Sequence, residues 1–287
     1  MITANFPVDP DGRTHHVGLK RGEVANRIVT VGDKARAHTL ALLLDQDTAG
    51  RARFVHESPR GFYTVTGTYQ GIPVSIVAIG MGMAMMDFFV REVRAVVEGP
   101  MVIIRLGSCG TSGRAQLGDI IVPDQAIAVT RNYDYFLTGH GEAYHLTKPV
   151  ACDVQLGQAV RAARVKQGLN ATCDSFYSSQ GRQNHDFVDA NRGIIDQLKR
   201  TYPQFISMEM ETFMLYHLAS VSAMPDGDTV NILARAPQPS VRAAAAMMVF
   251  ADRAGDQFID RAVAQQLETA VGQAVLGSLV ANVTDTA

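Results

Sequence analysis

Arg105 is the residue hardest to explain without a ligand. It interrupts an apolar run, Met101 to Leu106, of the kind that fills a buried central strand. A guanidinium there must meet an anion or a buried acid, because an unpaired buried charge is very costly. Gly107, Ser108, Cys109 and Gly110 follow, and read as a small-residue turn at the strand's carboxyl end. Open α/β sheets hold ligands at such ends. Ser108 does not fit a hydrolase elbow, since the glycine required two residues earlier is Leu106. A second anion candidate is Gly32-Asp33-Lys34-Ala35-Arg36, where a strand passes into a helix. Its plainer reading is an N-cap Asp33 followed by exposed basic residues.

Other stretches carry more ambiguous chemistry. Phe176-Tyr177-Ser-Ser-Gln180-Gly-Arg182-Gln183 combines an aromatic, an amide and a guanidinium that suit a planar heterocycle, or form an ordinary polar loop. Glu209 and Glu211 share a face only if their segment is extended; otherwise they are acids favoured by a helix start. Gly80-Met-Gly82-Met-Ala-Met85 is a partial dinucleotide fingerprint lacking the third glycine and the downstream acid, so it reads as a tight strand-to-helix turn. His15, His16, His140, His145 and His185 have no metal-ligand spacing, and there is no HExxH or CxxC; no metal site is expected.

The elements that must position these groups alternate. Strands are expected at Arg27–Val31, Met101–Leu106, Ile120–Val129, Asn170–Phe176 and Thr229–Leu233, with a hairpin from Phe62–Tyr69 through Gln70-Gly71 to Pro73–Ile79. Helical spacing covers Ala35–Leu44, Met85–Val97, Val154–Val165, Asp189–Lys199, Glu211–Ser220 and about Arg253–Leu279. Tyr133–Pro149 and Ala236–Ser240 read as loops that could border a site. The order gives an α/β chain with a mixed sheet.

Composition sets limits. The chain has 287 residues, 26 basic and 28 acidic side chains, 47% hydrophobic and 19% charged residues. That is too apolar for disorder, and a net charge of −2 argues against a general nucleic-acid binder. Three cysteines form no disulfide framework, and no signal or membrane segment is visible, so a cytoplasmic protein is expected. Two glycosylation sequons, at Asn170 and Asn282, read as chance. One domain over 1–287 is expected, with 1–14 loosely ordered.

Taken in order, several pieces resemble the nucleoside phosphorylase-I family, and within it the uridine phosphorylases. They are His16-Val-Gly-Leu19, Gly32-Asp33 to Arg36, Arg60 before the hairpin, Gly80-Met-Gly82, Arg105-Leu-Gly-Ser108-Cys-Gly110, Asp174-Ser-Phe176-Tyr177, Gln180-Gly-Arg182 and Glu209-Met-Glu211. The set spans about residues 15 to 240. Departures include Lys34 for a usual proline, Ser108-Cys109 in the phosphate turn, and Ser178-Ser179 before Gln180. Gly61 and Met85 stand where hexameric relatives place the Glu and Ser of a cation site, which tilts the expectation from hexamer to dimer.

The resemblance implies a single-domain nucleoside phosphorylase-I type fold, with a mixed central sheet distorted towards a barrel and flanked by helices. It implies a homodimer with shared active sites. Gly32, Arg36, Arg105 and Ser108 would hold phosphate, with Arg60 from the neighbour. His16, also from the neighbour, Phe176, Gln180, Arg182, Glu209, Met210 and Glu211 would bind the nucleoside. Arg105, Glu211, Arg182 and Arg235 would carry catalysis. Inorganic phosphate would be co-substrate, with no cofactor. Purine-acting relatives place an Asp after a late strand; Leu233-Ala-Arg235-Ala-Pro237 lacks one, which favours uracil. A purine phosphorylase, a nucleosidase and a non-catalytic nucleoside-binding protein are the alternatives.

Overall fold

The computed structural model describes residues 4–47, 52–160, 162–222 and 240–281. In chain order its elements are β1 (Arg27–Val31), α1 (Lys34–Ala41), β2 (Phe54–Glu57), β3 (Tyr63–Tyr69), β4 (Ile72–Ala78), α2 (Met83–Val96) and β5 (Met101–Thr111). Next come β6 (Ile120–Ile121), β7 (Gln125–Arg131), α3 (Tyr133–Thr138), β8 (Tyr144–Leu146), β9 (Val150–Ala151), α4 (Val154–Ala159), β10 (Val165–Lys166) and β11 (Leu169–Cys173). The chain continues through α5 (Ile194–Thr201), β12 (Phe205–Glu209), α6 (Thr212–Ser220), β13 (Val241–Asp252), β14 (Gln257–Phe258) and α7 (Arg261–Ala281).

All these strands join one mixed sheet, whose main path runs β2-β3-β4-β1-β5-β12-β11-β7-β8. One half, β4, β1, β5 and β13, is parallel, and so is the other half, β12, β11 and β7. The halves meet antiparallel where β12 pairs with the end of β5, Ser207 opposite Thr111 and Met208 opposite Gly110. The carboxyl ends of both halves therefore converge on one place.

Helices cover both faces, which is why the central strands are apolar without interruption. Along β13, Val241, Ala243 and Ala245 join a core with α2 and α6, while Ala244, Ala246 and Met248 join a core with α1, α4 and α7. Alternate residues of a strand point to opposite faces. The hairpin turns as expected, with Gln70 and Gly71 at φ 53° and 78°, as a type I′ turn requires.

Several boundaries differ from expectation. Pro123 divides the strand expected at Ile120–Val129 into β6 and β7. The helix expected at Val154–Val165 stops at Ala159, and that at Asp189–Lys199 starts only at Ile194, after Gly193 at φ 86°. The small residues after Leu106 are no turn: β5 runs on to Thr111, because β13 pairs along its whole length and β12 takes over where β1 ends. The stretch Val241–Asp252, given no strand in the sequence reading, is the longest strand described. The last helix starts at Arg261, since Arg253 to Phe258 form a turn and β14. Residues 8–14, expected to be loosely ordered, close a turn with Val8 bridged to Thr14 and Thr14 buried. Among the described residues no helix is long and apolar enough to cross a membrane. Asn170 is fully buried in β11, so its sequon is no glycosylation site in the folded chain, and Asn282 lies outside the described residues.

Candidate active site

A cavity of about 320 Å³ opens where the two sheet halves meet. Gly32 and Arg36 reach it from β1 and α1, and Arg105 and Ser108 from β5. Glu209, Met210 and Glu211 reach it from the link between β12 and α6, and Phe176, Gln180 and Arg182 from the loop after β11. Ten residues singled out in the sequence are thus brought together by four strands, β1, β5, β11 and β12.

Arg105 is buried and sits between two acids. Its Nη2 pairs with Glu211 Oε2 and lies 3.2 Å from Glu209 Oε2. Its Nη1 is buried without a hydrogen-bond partner. Gly107 makes room for it, since a Cβ there would overlap the guanidinium. Burial alone would lower the Arg105 pKa, but Glu211 and Glu209 outweigh it and hold the guanidinium charged.

The two acids differ. Glu209 is saturated: Oε1 accepts from Asn170 Nδ2 and Thr172 Oγ1, both at 2.6 Å, and Oε2 from the Glu211 and Thr212 N–H groups at 2.8 and 3.0 Å. It closes the start of α6, and burial is overcome by Arg105 and these donors, so its pKa is lowered. These bonds tie Glu209 to β11 and to the start of α6, and it also lines the cavity. Glu211 accepts from the Gly82 N–H at 2.5 Å and from Arg105. Burial pushes its pKa up, Arg105 pulls it down, Glu209 pushes it up again, and it ends raised. The Gly80-Met-Gly82 turn, with Gly80 and Gly82 at φ 79° and 98°, therefore seats Glu211.

Arg36 fits both readings of its segment. Asp33 caps α1 by accepting from the Arg36 N–H at 2.8 Å, and Lys34 is exposed, yet the Arg36 side chain is buried against the cavity. The Cys109 thiol, also at the cavity, is pushed far up, first by burial and then by Glu209, so it is no thiolate nucleophile.

In the loop after β11, Arg182 Nη1 donates to Gln180 Oε1 and to the Phe176 carbonyl, both at 2.6 Å, and the guanidinium lies 3.6 Å from the Phe176 ring centre. Arg253, which the sequence reading missed, donates to the Gln180 carbonyl at 3.1 Å. Burial, then Arg253's like charge, lowers Arg182 to about 10, still charged at neutral pH. The signal for Arg253 was the apolar run Ala243–Val249 ending in Asp252-Arg253. Asp252, the last residue of β13, is an acid the sequence reading did not weigh. It does not line the cavity, and its Oδ1 accepts from the Ala254 N–H at 2.9 Å in its own turn.

Two expected residues, both expected from the neighbour, do not line the cavity of their own chain. His16 stacks on Phe88 with centroids 4.1 Å apart, and its Nδ1 lies 2.6 Å from Glu92. Arg60 is exposed in the turn before β3. Arg235, the strand expected at Thr229–Leu233 and most of Ala236–Ser240 lie outside the described residues. Among the described residues no cluster of three or more His, Cys, Asp or Glu is arranged to hold a metal.

Known proteins share this architecture. The profile of the phosphorylase superfamily matches residues 26–275. The uridine phosphorylase of Thermococcus kodakarensis is 28% identical over 244 residues, 82% of each chain. A DeoD-type purine nucleoside phosphorylase of Oceanobacillus iheyensis is 29% identical over 212 residues, 71% of this chain and 80% of that one. A structure from a study of two uridine phosphorylases of the oomycete Phytophthora capsici is 38% identical, with TM-score 0.88, covering 98% of this chain and 99% of that one. A Trypanosoma brucei nucleoside phosphorylase shares the fold at TM-score 0.75 and 20% identity. With its profile matched across nearly the whole sheet and its site at the junction of the two halves, the chain belongs to the phosphorylase superfamily.

Proposed function

We propose that this protein is a uridine phosphorylase, a pentosyltransferase that converts uridine and inorganic phosphate to uracil and ribose 1-phosphate. The observation that carries the reading is the strand order β1-β5-β12-β11. Anion-type groups follow β1 and lie on β5, carboxylate and methionine follow β12, and aromatic, amide and guanidinium groups follow β11. That is the order of phosphate, sugar and base along a reacting nucleoside.

In this reading Arg36, Arg105, Ser108 and the Gly32 backbone hold phosphate through charge-assisted bonds. Phosphate meets the unpaired Nη1 of Arg105. Met210 packs under the ribose and ionised Glu211 binds its hydroxyls, favouring positive charge on the sugar. A phosphate oxygen bonds to C1′ as the bond from C1′ to the base nitrogen breaks, and the electron pair leaves with the base. Arg182, with Gln180 and Phe176 positioning the ring, stabilises the departing anion, and Arg253 adds positive potential. Catalysis is positioning and electrostatic stabilisation, without a protein nucleophile or an organic cofactor.

Purine nucleosides are the second reading. Asp252 and the resemblance to purine phosphorylases favour it. Against it, Asp252 does not line the cavity, and its Oδ1 accepts from the Ala254 N–H in its own turn. Absorbance assays with uridine and inosine, each with phosphate, test the choice. Preferential cleavage of uridine is expected; preferential cleavage of inosine would overturn the base assignment.

The positions of His16 and Arg60, away from the cavity, support a homodimer in which each chain completes its neighbour's site.

A further inference from the structure

We propose that Glu268, on α7, is a positioning residue that holds Arg36 in place to receive phosphate. The inference rests on the phosphate reading of the cavity. Glu268 lies 232 positions from Arg36 in sequence, yet its Oε1 accepts from Arg36 Nε at 2.9 Å and lies 2.8 Å from Nη2. Both side chains are largely buried, 8% exposed for Arg36 and 16% for Glu268. Arg36 lines the cavity and Glu268 does not. The carboxylate thus grips one edge of the guanidinium without occupying phosphate space, and Nη1 is left out of the pair.

Helix packing builds this contact. Gly272 lies one turn after Glu268, and Leu40 one turn after Arg36. A Cβ on Gly272 would come within 3.2 Å of Leu40 Cγ, tighter than ordinary contact. The missing side chain lets α7 approach α1 closely at that level, and the same approach brings Glu268 to Arg36.

A competing acid gives the grip its purpose. The exposed Asp33 carboxylate lies 3.6 Å from Arg36 Nη2, three residues away on the same helix start. Without Glu268, Arg36 is free to swing towards Asp33 and solvent. Fixing a long side chain before the ligand arrives removes an ordering cost from binding. The negative charge of Glu268 opposes phosphate, so the two effects have opposite signs. An amide keeps the acceptor and removes the charge, and therefore separates them.

The test compares wild type, Glu268→Ala, Glu268→Gln and Glu268→Asp. Inorganic phosphate binding is measured by calorimetry, and KM for phosphate and for uridine by initial rates. Glu268→Ala is expected to weaken phosphate about tenfold or more, the loss of one charge-assisted contact. Its uridine KM, and kcat at saturating phosphate, should stay within about twofold of wild type. Glu268→Gln should remain within about threefold of wild type for phosphate, because its amide oxygen still accepts. Glu268→Asp keeps the charge but loses reach, and should behave like Glu268→Ala; it carries the test if the alanine variant does not fold. Unchanged or tighter phosphate binding in the Ala and Asp variants, or a uridine KM rising in step, would overturn the positioning role alone. A wild-type protein that neither binds nor requires phosphate would overturn the functional reading and this inference together.

Discussion

Arg105 has one nitrogen between two acids and another with no partner, and that sets what its replacement does. Arg105→Ala should lower activity on the order of a hundredfold to a thousandfold, the scale of losing a transition-state donor. It also strands two buried carboxylates, so about 3–5 kcal/mol of stability should go with it, seen as a lower Tm. Gly107→Ala is gentler: its Cβ displaces the guanidinium, and KM for phosphate should rise while the fold survives. The pH profile reports on the acids as a coupled pair. In the proposed mechanism Glu211 acts ionised, and its pKa is raised by burial and by Glu209, so kcat/KM should fall as pH drops through that raised value. Glu209→Gln removes the like charge and should move the acid limb to lower pH. A limb that stays or moves upward would contradict the assignment. At this scale the sequence made Arg105 legible, because a charge in an apolar strand demands a partner. It did not reveal that Glu209 Oε1 is taken by Asn170 and Thr172 of β11, because those donors lie 39 and 37 positions away in the chain.

The loop carrying Phe176, Gln180 and Arg182 is held by neighbouring strands. Arg131, at the end of β7, bonds the Ser178 hydroxyl and Asp189, and Tyr144 of β8 donates to the Asp189 carbonyl at 2.5 Å. Breaking this clamp should loosen the base pocket and spare the phosphate groups on the other sheet half. Asp189→Asn is expected to raise uridine KM about threefold to thirtyfold, with phosphate KM within about twofold, in initial-rate measurements. Equal rises in both would mean the clamp supports the whole fold. The hairpin, β1 and the start of β5 were readable because β-branched runs end at glycine turns. β13 was not, since Ala243–Ala246 followed by two methionines favours a helix locally. Tertiary context wins there: the strand is buried on both faces, where alanines let helices pack close. Missing β13 hid Arg253, which follows its last residue.

For the whole molecule, the resemblance gives His16 and Arg60 to the neighbour's site, and neither lines the cavity of its own chain. If sites are shared, Arg36→Ala and Arg60→Ala damage different chains at one site. Mixed dimers then carry one doubly damaged and one intact site, so part of the activity should return on mixing. Verified mixed dimers with no recovery would contradict the shared site. Phosphate transfer to the ribose of a nucleoside at the sheet junction has a more direct test. Uridine is incubated with the protein with and without inorganic phosphate, following uracil release by absorbance and sugar products by phosphorus NMR. Uracil should appear only with phosphate, and ribose 1-phosphate should form in equal amount. Uracil released without phosphate, with free ribose as product, would contradict phosphate transfer.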